Sequence, residues 1–331
     1  MRPLFRRRKA TDRPYDSDAA FSNVHAPVAT FGTSAARSTP RRAAGTYSPP
    51  APLQDLHILD VLELAGSQHR AGAALSMHQS TVCRSVQLMQ SEFRLVPQQS
   101  AAVCRYGHNA CLRYLRLAYR EHRLMAGLLR IGSDVLHQSL LIGMPDVQQV
   151  PSRFRKADHW AELVSHGLLD GALVSSFSLG KVLPAAQAPQ WDGLLVMPLG
   201  ELQLQLVTAT PDTRRVLVPR TGAMPLLHQA LEWHGLAVEQ QPLACQEPGA
   251  WIKRARDRKL ALPLCPGLVG SQWLENHRLR PLPEQPALIE QLWLLLPQGM
   301  ETICPARRCL RYLRSQIARA KTMQILHESR F

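Results

Sequence analysis

Residues 70–93 read RAGAALSMHQSTVCRSVQLMQSEF, and this stretch decides the fold at the front of the chain. Its second half predicts an amphipathic helix over Gln79–Phe93, because apolar residues recur there at helical spacing. Val82, Val86 and Met89 form the predicted buried face. Polar and basic residues occupy the other face, which leaves them free for contacts outside the fold.

Two shorter helices precede this one. Leucines at helical spacing predict the first over Leu53–Ala65, and Gly66-Ser67 ends it. An Ala-rich second helix is predicted over 68–75, where small side chains let two helix backbones approach closely. A tight turn at 76–78 separates it from the third helix. Three short helices with a polar and basic third one predict a helix-turn-helix.

The stretch 70–93 resembles, without a gap, the winged helix-turn-helix of LysR-type transcriptional regulators. The positions in register with the family pattern are Ala71, Leu75, Gln79, Ser80, Thr81, Val82, Arg84 and Glu92. The sequence departs from that pattern at Gly72, His78 and Cys83, where the family has Ala, a capping Ser and Ser. The wing region over 95–105 lacks the usual Arg, and Arg105 is its predicted substitute.

This resemblance implies that the helix over Gln79–Phe93 enters the major groove of double-stranded DNA. Gln79 suits the edge of adenine, and Arg84 suits guanine or a phosphate. Arg70 and Arg105 are expected to hold phosphates, which fixes position without reading sequence. The predicted DNA-binding residues are Gln79, Ser80, Thr81, Arg84, Ser85, Arg70 and Arg105.

A long helix is predicted over residues 107–136, with an apolar flank and a separate set of arginines. The flank comprises Leu112, Leu115, Ala118, His122, Met125, Leu129 and Val135, and the arginines are Arg113, Arg116, Arg120 and Arg123. In the resembled family this linker helix pairs two subunits, and an apolar stripe of that length needs a partner. A homodimer or homotetramer is therefore expected, and an internal core helix is the alternative.

The remaining residues predict an α/β region, because short apolar runs alternate with helical stretches. The predicted strands cover 139–143, 171–175, 193–197, 202–208, 215–218, 238–243, 260–263 and 292–296. Residues 167–174 look like the family's Gly-x-Leu-Asp-x-Ala-Ile motif, which implies a two-lobed, periplasmic-binding-protein-like (type 2) effector domain over 137–331. Linker length favours 139–143 as its first strand. An alternative register starts it at Leu129–Gly132 and shortens the linker helix.

The same resemblance implies a small-molecule effector in the cleft between the lobes. The residues expected there by position are Met144, Ser175, Ser176, Thr221 and Gly222. Thr221 and Gly222 stand at a predicted helix start, whose free N–H groups suit a carboxylate, so an anionic effector fits. Simple helix caps are the alternative for Ser and Thr at such positions.

Charge and composition indicate the kind of partner, a basic tail and the cellular compartment. The 331 residues carry a net charge of +14, with nine Lys/Arg and three Asp/Glu within residues 1–52, which favours a polyanionic partner. Residues 1–52 are rich in Arg, Ser and Pro and predict a disordered basic tail ahead of a DNA-binding domain over 53–106. Seven scattered cysteines and the lack of any long apolar run predict a reduced cytoplasmic protein without a membrane segment.

The sequence offers no familiar catalytic signature. It contains no GxSxG, HExxH, P-loop or GxGxxG motif, so we expect no enzyme activity, no metal and no cofactor. The predicted function is a sequence-specific, effector-responsive DNA-binding transcriptional regulator. The alternative is a small-molecule-sensing protein that has lost specific DNA readout, since the wing and the helix cap are altered.

Overall fold

The computed structural model describes residues 47–106, 109–144, 146–184, 187–241 and 248–328. All of them belong to one structural unit, Thr46–Phe331. Most of the tail predicted over 1–52 lies outside the described residues. Its last six residues are structured instead, because the Tyr47 hydroxyl and His122 Nδ1 share a hydrogen bond of 2.8 Å and Ala51–Leu53 forms a 3-10 turn.

Three helices open the described chain and confirm the predicted ones to within a residue. They are α1 (Gln54–Ala65), α2 (Gln68–Leu75) and α3 (Gln79–Glu92). The α3 residues that enter their shared core are Val82, Val86 and Met89, as the spacing predicts. Gly66, in the left-handed conformation, ends α1, and the Ser67 side chain accepts a hydrogen bond from Arg70 N to begin α2.

The turn between α2 and α3 requires a small residue at position 72. A Cβ on Gly72 would lie 2.7 Å from the Met77 carbonyl oxygen, so the α2 backbone approaches this turn too closely for alanine. Met77 N also donates to Gly72 O at 2.9 Å. Glycine at this position therefore lets the turn close against α2.

The predicted wing is not a hairpin of strands. Residues 94–106, all of them described, contain no strand, and Gln98 N donates to Arg105 O at 2.9 Å across the loop. Val103 and Cys104 are buried, whereas Arg105 is exposed. The segment therefore serves partly as a packing surface, which a basic hairpin in solvent would not do.

The predicted linker helix over 107–136 is wrong in length. Asn109 caps α4, which spans Ala110–Met125. Gly127, in the left-handed conformation, follows the helix end, and β1 (Leu129–Gly132) begins directly after it. The alternative register is thus correct, and the strand predicted over 139–143 is a 3-10 turn, Gln138–Leu141.

The rest of the chain is mixed α/β, as predicted. Its elements are β2 (Val147–Gln149), α5 (Ala157–Ser165), β3 (Gly171–Ser175), β4 (Leu194–Thr208), β5 (Arg215–Val218), α6 (Pro225–Trp233), β6 (Ala237–Gln240), α7 (Pro248–Asp257), β7 (Leu262–Leu264), α8 (Pro266–Val269), α9 (Ser271–Asn276), β8 (Arg280–Pro281), β9 (Leu288–Pro297) and α10 (Cys304–Glu328). Among the described helices, none has the length and apolar character that a bilayer span requires.

Within the described residues, seven strands form one sheet in the order β2-β1-β3-β9-β4-β7, and β8 pairs with β4. The strands β2, β1 and β3 are parallel, whereas β9 runs antiparallel to both β3 and β4. The long β4 replaces two separately predicted strands, and its register on β9 shifts between Pro198 and Gly200. A separate parallel pair, β5 and β6, lies beside the start of β7, where Val216 forms a bridge with Ala261.

The buried face of α4 matches the predicted one only in part, since it contains Leu112 as predicted but also three of the arginines. Arg116, Arg120 and Arg123 are buried, whereas Tyr114 and Met125 are 63% and 85% exposed. Arg116 Nε donates to Asp60 Oδ1 of α1 at 2.8 Å. Arg130 of β1, which is fully buried, approaches the other oxygen of Asp60 at 3.3 Å through Nη1. A single carboxylate of α1 therefore joins α4 and the first strand.

A second buried carboxylate completes this network. Asp170 lies just before β3, and Arg123 reaches both its oxygens through Nε at 3.0 Å and Nη2 at 2.5 Å. The Nε of Arg120 is 3.3 Å away, and the backbone N of Arg130 donates at 2.7 Å. Burial alone would raise the pKa of Asp170, but these arginines outweigh it and lower the pKa.

Removing the shared carboxylate will show what this network contributes. We expect Asp60→Asn to lower the free energy of unfolding by about 3–5 kcal/mol, because the buried Arg130 loses its ion-pair partner and Arg116 keeps only the more distant Glu63. Urea unfolding followed by circular dichroism measures this change. Asp55→Asn, on the same helix but without an ion pair among the described residues, is the matched control and should stay within about 0.5 kcal/mol. Equal stability of both variants would contradict the assignment of Asp60 as the shared partner of Arg116 and Arg130.

Candidate functional site

The polar face of α3 is open to solvent where base contacts are predicted. Gln79, Ser80, Thr81 and Arg84 are exposed, and Ser85 is half-buried. Gln79 Nε2 donates to Gln68 Oε1 at 3.1 Å, which ties the start of α3 to α2. These side chains share one surface because the apolar residues of α3 hold its opposite face in the core.

The N-terminus of α3 lacks a side-chain cap. His78 occupies the cap position in an extended conformation and makes no side-chain hydrogen bond to the helix. A helix N-terminus attracts anions through its first N–H groups and the helix dipole. Because no side chain caps α3, its first N–H groups have no side-chain acceptor from the cap residue.

The two predicted phosphate contacts lie in different surroundings. Arg105 is exposed on the irregular loop after α3. Arg70 is half-buried and lines a cavity of about 720 Å³ together with residues of β2 and the loop after it. Both contribute to lowering the pKa of Arg153, which places them near the α/β part of the molecule. Their role on DNA stays a prediction.

Three of the five predicted effector residues are committed to the fold. Met144 is buried and packs in the main core. Ser175 is buried, donates to Glu290 and accepts from Phe177 N at 3.1 Å. Ser176 Oγ accepts from Gln291 N at 3.0 Å. These contacts fasten the end of β3 to β9.

The other two predicted effector residues, Thr221 and Gly222, lie in the loop between β5 and α6. Thr221 is exposed and accepts from Gln240 Nε2 at 2.8 Å, and Gly222 lines a cavity of about 310 Å³. The described residues around it are Ala102, Arg153, Phe154, Arg155, Lys156, His159, Pro219, Arg220, Gly222, Ala223, Gln241 and Trp251. We call this space the cationic cavity, because four side chains around it are Arg or Lys and none of these described residues is acidic.

Three parts of the molecule meet at the cationic cavity. Ala102 belongs to the loop after α3, residues 153–156 connect β2 to α5, and residues 219–223 connect β5 to α6. Sequence reasoning missed Arg153, Arg155 and Lys156, although the run RFRK over 153–156 is visible in the sequence. Nothing local links that run to Arg220, which only the fold brings next to it.

Burial and the mutual repulsion of the positive charges around the cationic cavity lower the pKa of two of its arginines. Burial, and then the charge of Arg153, lowers the pKa of Arg155 to about 9. Burial also lowers the pKa of Arg153, and the nearby Arg70, Arg105 and Arg220 lower it further. Among the described residues, no carboxylate forms an ion pair with these three cavity arginines. The site is therefore prepared for a negatively charged group.

A buried ion cluster lies at the ends of β1 and β3. His137 Nε2 is 2.7 Å from Glu290 Oε1, and His137 Nδ1 is 2.8 Å from Asp134 Oδ1. Burial would lower the pKa of His137, but Asp134 and Glu290 outweigh it and raise the pKa well above its ordinary value. Ser175 contacts Glu290 rather than the imidazole, so the cluster fastens loops to β9 and does not form a nucleophile and base pair.

One group among the described residues has a spacing compatible with a metal ion. Ligand atoms of Cys104, Glu162 and His166 lie within 4.8 Å of one another. Burial raises the pKa of Cys104, and the charges of Glu63 and Glu162 raise it further. The thiolate that a metal requires is therefore disfavoured.

The chain matches no protein-family model and no curated protein. Among solved structures it is similar to ArgP from Mycobacterium tuberculosis, with a TM-score of 0.44 and 16% identity, covering 79% of this chain and 96% of that one. The regulatory domain of MetR, a LysR family regulator from N. meningitidis, gives a TM-score of 0.43 and 15% identity, covering 58% and 94%. CbnR in complex with its target DNA gives 0.40 and 12%, covering 81% and 99%. With TM-scores below 0.5, these likenesses assign neither a function nor a ligand to this chain.

The raised pKa of His137 has a measurable consequence. A histidine whose folded pKa exceeds its unfolded value contributes stability that is fully present below the unfolded pKa and is lost as pH rises through the folded pKa. We therefore expect His137→Gln to destabilise the protein by about 3 kcal/mol at pH 6 and by less at pH 9. Urea unfolding at several pH values tests this. The exposed His234→Gln serves as control, and a destabilisation that grows with pH would exclude a charged His137.

Proposed function

We propose that this chain is a LysR-type, sequence-specific DNA-binding transcriptional regulator that responds to a small-molecule effector. One observation carries the proposal. The residues that match the family's recognition-helix pattern, Gln79, Ser80, Thr81 and Arg84, are exposed on one face of α3. The apolar residues of the same helix are buried, so α3 offers a polar face on a rigid support.

On this proposal, α1, α2 and α3 form the helix-turn-helix over 53–106, and α3 enters the major groove. Gln79 pairs with adenine N6 and N7, and Arg84 pairs with guanine O6 and N7 or with a phosphate. The uncapped N-terminus of α3 and the exposed Arg105 face the backbone. The net charge of +14 favours the encounter with DNA at low salt.

The α/β part would be the effector domain, a two-lobed, periplasmic-binding-protein-like (type 2) fold that starts at β1. The paired strands β9 and β4 would connect the two lobes, because β2, β1 and β3 lie on one side of this pair and β7 and β8 on the other. Loops from the two parts meet at the cationic cavity, so a ligand there contacts both. Such a cavity between structural parts is the usual position for a small-molecule site. We expect the regulator to act in the cytoplasm.

The outward face of α4 supports the expected oligomer. Tyr114, Leu117 and Met125 are exposed at helical spacing on one side of α4, with the exposed Glu121 between Leu117 and Met125, and form a largely apolar stripe on the surface of a monomer. A second copy that packs the same helix against it would remove this stripe from water. We propose a homodimer formed through α4, with a homotetramer as a pair of such dimers.

Arg84→Ala tests the recognition helix. We expect specific DNA affinity to fall by about 1–3 kcal/mol, because a bidentate base contact is lost, while the melting temperature stays unchanged. Fluorescence anisotropy with duplexes enriched from genomic fragments measures the affinity. Arg319→Ala, an exposed arginine on α10, removes the same charge elsewhere and should leave specificity intact. Wild-type affinity in Arg84→Ala would overturn the assignment of α3.

The irregular loop over 94–106 favours a second candidate. Without strand pairs in the wing, the protein would sense a small molecule and grip DNA only through phosphates. A salt titration with specific and scrambled duplexes separates the two candidates, because a binder driven by phosphates alone shows no specificity ratio.

The oligomer is tested by a charge in the apolar stripe. We expect Leu117→Asp to convert a dimer into a monomer at micromolar concentration, because a buried carboxylate at the interface would lack a partner. Sedimentation velocity measures the mass. Ala318→Asp, exposed on α10, is the control and should leave the mass unchanged. A monomeric wild-type protein, or a dimer that persists in Leu117→Asp, would contradict a dimer formed through α4.

A further inference from the structure

We propose that the cationic cavity binds a small organic polyanion, a dicarboxylate or tricarboxylate or a phosphate ester, and that this ligand acts directly on α1. The inference deepens the proposed function and rests on it, since it names the chemical class of the effector. The four cationic side chains around the cavity are Arg153, Arg155, Lys156 and Arg220.

Two buried donors at the cavity lack an acceptor. Arg155 Nε and Trp251 Nε1 have no hydrogen-bond partner among the described residues, and both residues line the cavity. The two atoms themselves are closed off from the cavity, so a ligand bonds to them only when these side chains turn toward it. Arg155 is 6% exposed and Trp251 is 2% exposed. Both atoms only donate, so a carboxylate or phosphate oxygen is the complementary group. A buried donor without a partner is costly, and a ligand that supplies acceptors would relieve that cost.

Size and charge narrow the class of ligand. The volume of about 310 Å³ is at the lower end of the range of about 300–1,000 Å³ for small-molecule pockets. A small organic acid fits this space better than a dinucleotide does. Lys156 Nζ lies 4.0 Å from Asp158 Oδ2, but Arg153, Arg155 and Arg220 form no ion pair among the described residues. Three arginines without a described carboxylate partner favour a ligand with two or more negative charges over a monoanion. Gly222 adds open space, because a Cβ there would meet nothing within 4 Å.

Two of the cavity arginines also contact the end of α1. Arg155 Nη2 donates to the carbonyl of Leu64 at 2.6 Å. The guanidinium of Arg153 occupies the space that a Cβ on Gly66 would fill, which places it against the left-handed residue that ends α1. A ligand that draws these guanidinium groups toward itself would change their contacts with α1. Since α1 packs directly on α3, the ligand would thereby affect the recognition helix.

Titration of the full-length protein tests anion binding. Isothermal titration calorimetry with citrate, malate, pyrophosphate and glycerol 3-phosphate, at constant ionic strength, distinguishes carboxylate from phosphate ligands, and glycerol is the neutral control. We expect saturable binding of one molecule per chain for at least one probe. Arg220→Gln should weaken that binding at least tenfold, whereas Arg214→Gln, exposed and outside the cavity, should not. Arg220 is exposed, so its variant is expected to fold.

Absence of saturable binding by every probe, or equal binding by Arg220→Gln, would overturn the proposal.

The effect on α1 is tested by specific DNA affinity with and without the bound anion. We expect a change of at least threefold in the wild type and none in Arg220→Gln. An equal change in both would be an ionic-strength effect and would refute the coupling. Anion binding with no specific DNA binding would refute the proposed function but leave the cavity assignment in place. Specific DNA binding without anion binding would refute the cavity assignment but leave the proposed function in place.

Discussion

The burial of arginine against two aspartates is the constraint on which the architecture depends. Each buried guanidinium loses its hydration, which costs several kcal/mol unless carboxylates and carbonyls replace it. The carboxylate of Asp60 replaces the lost hydration of Arg116 and Arg130, and the carboxylate of Asp170 replaces that of Arg123. The ring of Tyr119 lies beside Arg123 and Arg130, with distances of 4.4 and 4.8 Å from guanidinium carbon to ring centroid. Because the ion pairs span α1, α4, β1 and β3, the three-helix part is packed directly on the α/β part.

This packing gives a physical route between the two proposed activities. Asp60 fixes the middle of α1 to α4 and β1, and Arg155 holds the carbonyl of Leu64 near its end. The cationic cavity is therefore in contact with the helix that supports α3. A ligand need not act through a free linker helix, since the same arginines that would bind it already contact α1. The effect would depend on differential contacts in two states, as any coupling between sites must.

Periodicity predicted those elements whose buried face is apolar. The three helices over 54–92 agree with the sequence within a residue, because their apolar side chains recur at helical spacing. The strand Gly171–Ser175 also agrees, because it is a short, mostly apolar run that is buried along its whole length. The linker helix was predicted too long, because the chain leaves the helix at Gly127, in the left-handed conformation, and β1 begins directly afterwards. Its buried side also includes three arginines, which hydrophobicity places in solvent. The first strand was misplaced for the same reason as the helix end, since the choice between the two registers rested on the expected length of the linker.

The local pattern of residues was enough to predict the two faces of α3 and the alternation of strands and helices, because helix and strand periods are encoded by residues that are close in sequence. The ion-pair partners and the residues that surround the cationic cavity follow instead from the packing of distant elements. Asp60 and Arg130 meet through the packing of α1 on β1, and the run over 153–156 meets Arg220 across two loops of the α/β part. Such contacts depend on how distant elements pack, and burial, which makes an ion pair or an unpartnered donor matter, exists only once they have packed.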